Sequence, residues 1–153
     1  MRHNSMMVLT GLLTLLLAAC HGEPKVMLGI TGYNYTNRYI DRFSVNGQGG
    51  TNLRAHTNGS GEACCIVLRA DQELPVKVYV EWTYGERWNH IKGIKLQDAK
   101  SYSAEVFLEG PTPKDPTIFA VHFYPDNTVQ VEVAADYPKP RILRTTPIST
   151  DPT

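Results

Sequence analysis

The stretch Val76–Tyr84 alternates with a period of two, and this limits the chain more than any other feature. Val76, Val78, Val80 and Trp82 stand on one side, with Lys77, Tyr79, Glu81 and Thr83 on the other. Successive side chains of a strand point to opposite faces, so the pattern predicts a strand with one buried and one solvated or docking face. Residues 102–108 repeat it, with Tyr102, Ala104, Val106 and Leu108 opposite Ser103, Glu105 and Phe107. Two further runs, 117–124 and 128–133, flank Pro125-Asp126-Asn127, which reads as the turn of a hairpin. Val129, Val131 and Val133 would then face inward, and Gln130 and Glu132 outward.

Other segments fit the same class. Residues 26–35 are apolar and rich in strand formers, and Ile40, Phe43 and Val45 run into Asn46-Gly47, a strong turn signal. Residues 63–68 (Ala-Cys-Cys-Ile-Val-Leu) form a continuous apolar run, as in a buried strand. Between them, 48–61 is a loop rich in Gly and Asn. The best helical candidate is 94–99, one or two turns at most. With no sustained helical period, the expected fold is all-β: an antiparallel β-sandwich, immunoglobulin-like, of about six to eight strands.

The N-terminus has a different character. The apolar run 6–19 follows Arg2 and is too short to span a bilayer, which needs about 20 residues. It reads as a secretory signal. It ends in Leu17-Ala18-Ala19-Cys20, which looks like a bacterial lipobox. Cleavage would leave Cys20 as the mature N-terminus, carrying lipid on its sulfur. A plain secretory signal cut after Ala19 is the alternative. Two or more acyl chains hold a protein stably on a membrane surface without spanning it. His21, rather than Asp, follows the Cys, which favours the periplasmic face of the outer membrane. The expected organisation is a signal peptide over 1–19, a lipidated tether over 20–25, a β-sandwich over 26–136 and a Pro-rich tail over 137–153, extended or frayed.

Charge excludes little but points away from nucleic acid: 15 Lys and Arg balance 15 Asp and Glu, with no basic stripe. Catalytic motifs are absent. Ser60 lies in Gly59-Ser60-Gly61, but a strand follows it, where a nucleophile elbow needs a helix. No His spacing or Cys-x-x-Cys pattern suggests a metal, and no cofactor fingerprint occurs. The chain is therefore expected not to be an enzyme and to need no cofactor or metal. Cys64 and Cys65 leave three readings open: two reduced strand thiols, a vicinal disulfide, or a redox or metal role.

Two segments suit contact with a protein. Tyr33, Tyr35 and Arg38 lie in Gly32-Tyr33-Asn34-Tyr35-Thr36-Asn37-Arg38-Tyr39-Ile40, and Arg87 and Trp88 lie just past the Gly85 turn. Tyr, Trp and Arg anchor interfaces because each buries a large area and still offers a hydrogen bond. For the tyrosines, the competing reading is that they cap the core and bond local backbone. For Trp88, it is a ring folded back across the sheet.

The string from Gly32 through Arg42-Phe43-Ser44-Val45-Asn46-Gly47-Gln48-Gly49-Gly50, then Cys64-Cys65 and Val78-x-Val80-x-Trp82, resembles a family of small proteobacterial lipoproteins of unknown function. The likeness extends over about 29–133. Members often occur beside type VI secretion genes, where they resemble immunity proteins for antibacterial phospholipase effectors. The resemblance implies a membrane-anchored periplasmic protein that binds and neutralises such a lipase. A structural or scaffold lipoprotein of the envelope or secretion machinery is the alternative.

Overall fold

The computed structural model describes residues 24–142. The expected signal peptide, the lipidation site Cys20 and the end of the tail fall outside the described residues. Ten strands follow one another: β1 Lys25–Asn34, β2 Ile40–Val45, β3 Gln48–Gly49, β4 Ala63–Arg69, β5 Val76–Tyr84, β6 Arg87–Asn89, β7 Ile94–Gln97, β8 Lys100–Leu108, β9 Ile118–Phe123 and β10 Val129–Ala134. Eight of them form two four-stranded sheets, ordered β10-β9-β1-β4 and β3-β2-β5-β8, and β6 and β7 form a separate ribbon. The expected all-β sandwich is what the chain builds. One pairing departs from the antiparallel pattern, since β1 and β9 run parallel.

The alternation in β5 places Val78, Val80, Trp82 and Tyr84 in the core. Leu28 and Ile30 of β1 and Phe119, Val121 and Phe123 of β9 come from the facing sheet. Each such side chain contributes about 1.5–3 kcal/mol by leaving water. Phe123 joins the sheets, its ring 5.6 Å from Trp82 and 5.3 Å from Phe43. Asn46 and Gly47 both take positive φ, 49° and 78°, as a two-residue hairpin of this hand requires. At Gly50 a Cβ would lie 2.0 Å from the Phe43 ring, so only glycine lets that ring reach its place.

Two expectations need correction. Residues 63–68 are not a buried strand: β4 is an edge strand, Ile66 alone is buried, and Val67 is 53% exposed. Residues 94–99 are not helical, because 94–97 pair antiparallel with β6. Short apolar runs do not carry enough period to separate helix from strand. For the start of the tail, expected to be extended or frayed, the structure shows an extended segment held by hydrogen bonds. Thr117 Oγ1 donates to Ala135 O at 2.9 Å, Tyr33 Oη to Pro138 O at 2.6 Å and Tyr137 Oη to Glu62 Oε2 at 3.1 Å. The segment 135–142 is thus strapped across the outer face of β10-β9-β1-β4.

Candidate functional site

The far ends of β5 and β8 carry the ribbon. Gly85 N–H donates to Tyr39 O at 3.0 Å as β5 finishes, and the chain then turns out into β6. Trp88 pairs with Lys95 and Asn89 with Ile94 across the ribbon. Its apolar side chains have no core beneath them: Trp88 is 43% exposed, Ile91 78%, Ile94 53% and Leu96 54%.

Polar contacts fix the Trp88 ring. Its Nε1–H donates to Glu86 Oε2 at 3.0 Å, and Lys95 Nζ lies 5.7 Å from the ring centroid. Lys95 also bridges Glu86 at 3.2 Å and Asp98 at 2.8 Å. The Trp88 hydrogen bond and the Lys95 ammonium hold the Glu86 carboxyl below its usual range, and Lys95 does the same to Asp98. These pairs are exposed and set geometry more than stability. Arg38 joins the ribbon to the sandwich. Its guanidinium sits 4.6 Å from the Tyr84 ring centroid, and Nη2 donates to Gly85 O at 3.4 Å and Asp98 O at 3.2 Å, one on each side of the ribbon. Arg87 is exposed beside Trp88. Residues 86–100 carry Arg87, Lys92, Lys95 and Lys100 against Glu86 and Asp98, so the patch is apolar with a cationic surplus.

Arg38, Arg87 and Trp88 therefore come together at one end. Tyr33 and Tyr35 do not join them. They are 1% and 5% exposed, which removes their side chains from the contact surface and corrects that expectation. β1 lies inside its sheet, and the strap at 135–142 covers its outer face. Their neighbours also serve the fold: Asn34 Nδ2 donates to Arg38 O at 2.7 Å and Arg54 O at 3.1 Å, and Asn34 Oδ1 accepts from Thr36 N–H at 3.0 Å.

Beneath the strap is a polar ring that the sequence reading missed. His122 is fully buried on the outer face of β9, stacked 4.6 Å from Tyr33. Its Nδ1 lies 2.9 Å from Tyr35 Oη and its Nε2 2.8 Å from Glu132 Oε1. Arg141 closes the ring, its backbone N–H donating to Tyr35 Oη at 2.8 Å and its Nη2 lying 3.3 Å from Glu132 Oε2. Burial, then the nearby Arg141 charge, push the His122 pKa down to about 4 against the opposing pull of Glu132. The imidazole is thus neutral at pH 7. One tautomer satisfies every contact: Tyr35 O–H donates to Nδ1, and Nε2–H donates to Glu132. Burial raises both tyrosine hydroxyls above their ordinary pKa. Both ring nitrogens are committed, so the arrangement clamps the strap. The signal was available in the alternation of β9, where Ala120 and His122 share a face opposite Phe119, Val121 and Phe123.

The remaining candidates are accounted for locally. Ser60 Oγ accepts from Gly32 N–H at 3.0 Å and donates to Gly61 O at 2.8 Å. Cys64 and Cys65 are joined in a vicinal disulfide at the irregularity of the β1–β4 register, opposite Gly29. Among the described residues, no group of three His, Cys, Asp or Glu side chains is placed to hold a metal ion.

A family model described as "Protein of unknown function (DUF3304)" matches residues 33–131. No curated protein and no solved structure matches the chain.

Proposed function

The chain belongs to the DUF3304 family, and we propose that it is a membrane-anchored periplasmic lipoprotein, held at the outer membrane through Cys20, that binds and neutralises a secreted antibacterial phospholipase effector. The observation that carries the binding role is the β6–β7 ribbon. Its exposed Trp88, Ile91, Ile94 and Leu96 stand outside the sandwich core and are ringed by charge. An apolar centre with a polar rim is the usual anatomy of a protein interface, and Trp and Arg are its commonest anchors. Blocking an enzyme requires no chemistry of the blocker, only affinity and placement. The partner's identity comes from the family resemblance. A cationic surplus on the ribbon favours an acidic surface around the lipase's active-site mouth.

Placement is consistent with this role. Pro24, the first described residue, accepts through its carbonyl from Ala70 N–H at 2.8 Å. The ribbon leaves from the opposite end of β5, about 27 Å away at the rise of a strand. A tether at the first end leaves the second free to meet a partner.

Titrating the full lipoprotein against a secreted antibacterial phospholipase effector, taken from the neighbouring reading frame if that frame encodes one, tests the reading. A nanomolar complex that abolishes lipase activity is expected. Trp88→Ala should weaken that complex by at least about 30-fold, near 2 kcal/mol, with the melting curve unchanged. Capture of a secretion-machine subunit with no effect on the lipase would establish the scaffold role instead. Palmitate that labels the wild type but not Cys20→Ser is the expected result for the anchor.

A further inference from the structure

The end of the sandwich opposite the ribbon contains an open cavity of about 270 Å³. It lies between two cross-strand pairs, Val26 with Leu68 in one sheet and Val76 with Leu108 in the other. Leu74 adds to the apolar wall, and Pro113 and Pro116 of the 109–117 loop form a side whose backbone has little freedom to collapse inward. The two charged side chains that line the cavity are both cations, Arg69 and Lys114. Arg69 is engaged by Asp71, Nε to Oδ1 at 3.3 Å and Nη2 to Oδ2 at 3.4 Å, so its charge is already met.

Apolar walls with a few placed polar groups are the mark of a small-molecule site, and this volume falls just under the usual lower bound of about 300 Å³. That holds part of one acyl chain, the rest reaching out through the open mouth, and excludes a whole diacyl lipid. Each methylene moved from water into such walls contributes about 0.8 kcal/mol. Lys114 at the cavity calls for an anionic head. We propose that the cavity binds a long-chain fatty acid, with its hydrocarbon between the two strand pairs and its carboxylate at Lys114. Location agrees with this. Ala70 lines the cavity and holds Pro24, and Cys20, four residues earlier, can be no more than about 14 Å from Pro24. This last point rests on the lipid anchor proposed above; the walls and cations do not.

Photolabelling tests the assignment. The full-length chain in phosphatidylcholine vesicles is irradiated with a diazirine-bearing palmitic acid, digested and mapped by mass spectrometry. Adducts are expected on the peptides carrying Leu68, Leu74 and Val76, displaced by unlabelled palmitic acid and far less by hexadecanol. Val76→Trp fills the cavity and should cut labelling about tenfold. Because that variant could fail to fold, Lys114→Glu serves beside it: the residue is exposed in a loop, so labelling should fall several-fold with the melting curve unchanged. Adducts spread over Ile91 and Ile94, or labelling indifferent to Lys114→Glu, would overturn the site. So would labelling seen only in Cys20→Ser, which would mean that the anchor's own chain fills the cavity. Palmitate incorporation at Cys20 is measured separately, so loss of the anchor and loss of the site are distinguishable.

Discussion

In the sheet β10-β9-β1-β4, β9 and the second half of β1 are covered on both faces, by the second sheet inside and by the chain's own later segments, 135–142 among them, outside, whereas β3-β2-β5-β8 leaves its outer face in water. In β9 every residue is buried. In β5 burial alternates, and Lys77, Tyr79 and Glu81 are exposed. The two sheets use the same strand geometry, so the difference comes from what lies on the second face. A covered outer face must satisfy its polar groups internally, and the ring of Tyr35, His122, Glu132 and Arg141 does so. A wet outer face needs no such ring and tolerates the exposed pair Lys77 and Glu105 at 3.2 Å.

Substitutions on the two sheets should therefore separate widely. Phe119→Ala empties a fully buried site and should cost about 3–5 kcal/mol, read from the shift in urea midpoint. Phe107→Ala, on the wet face and 52% exposed, should change stability by less than about 0.5 kcal/mol. Equal losses would erase the distinction.

Next in size is a pH effect confined to the covered face. The folded His122 pKa of about 4 lies below the unfolded value of 6.5, so the unfolded chain takes up the proton first. This contribution to stability is complete above pH 6.5 and falls away as pH drops toward 4, by about 3 kcal/mol in all. Denaturant titrations across that range should show the slope in wild type and not in His122→Gln. Smaller again is Tyr35→Phe, which deprives His122 Nδ1 and the Arg141 N–H of their partner. It should cost about 1–2 kcal/mol and speed amide exchange in 138–142. Smallest is Trp88→Ala on the ribbon, which should leave the melting temperature within about a degree or two. A large drop there would place the ring in the fold and remove it from the interface.

Legibility in the sequence followed the same division. Strands with one wet face announce themselves, and alternation alone places Val78, Val80 and Trp82 in the core, where they lie. The doubly covered strands lack that contrast. Tyr33 and Tyr35 read as surface anchors because Tyr and Arg in a polar run look alike whether they meet a partner or a strap from the chain's own C-terminus. His122 fits no metal or catalytic spacing in the sequence, and its partners are Tyr35, 87 residues away, and Glu132 on the neighbouring strand. In the ribbon, Ile94 and Leu96 alternated correctly for a strand but over too few residues to outweigh a helical reading.

The chain's own order of residues determined the class of fold, most strands, the Asn46-Gly47 turn and the candidacy of Arg38, Arg87 and Trp88. Those follow from side-chain period and backbone φ preference, which are local. Only the folded arrangement decided that β1 and β9 run parallel, that the tail straps the outer face, and that Arg38 reaches Gly85 and Asp98 while Tyr33 and Tyr35 are sealed away. Such outcomes depend on which surfaces meet after distant segments are brought together, and no local period encodes that.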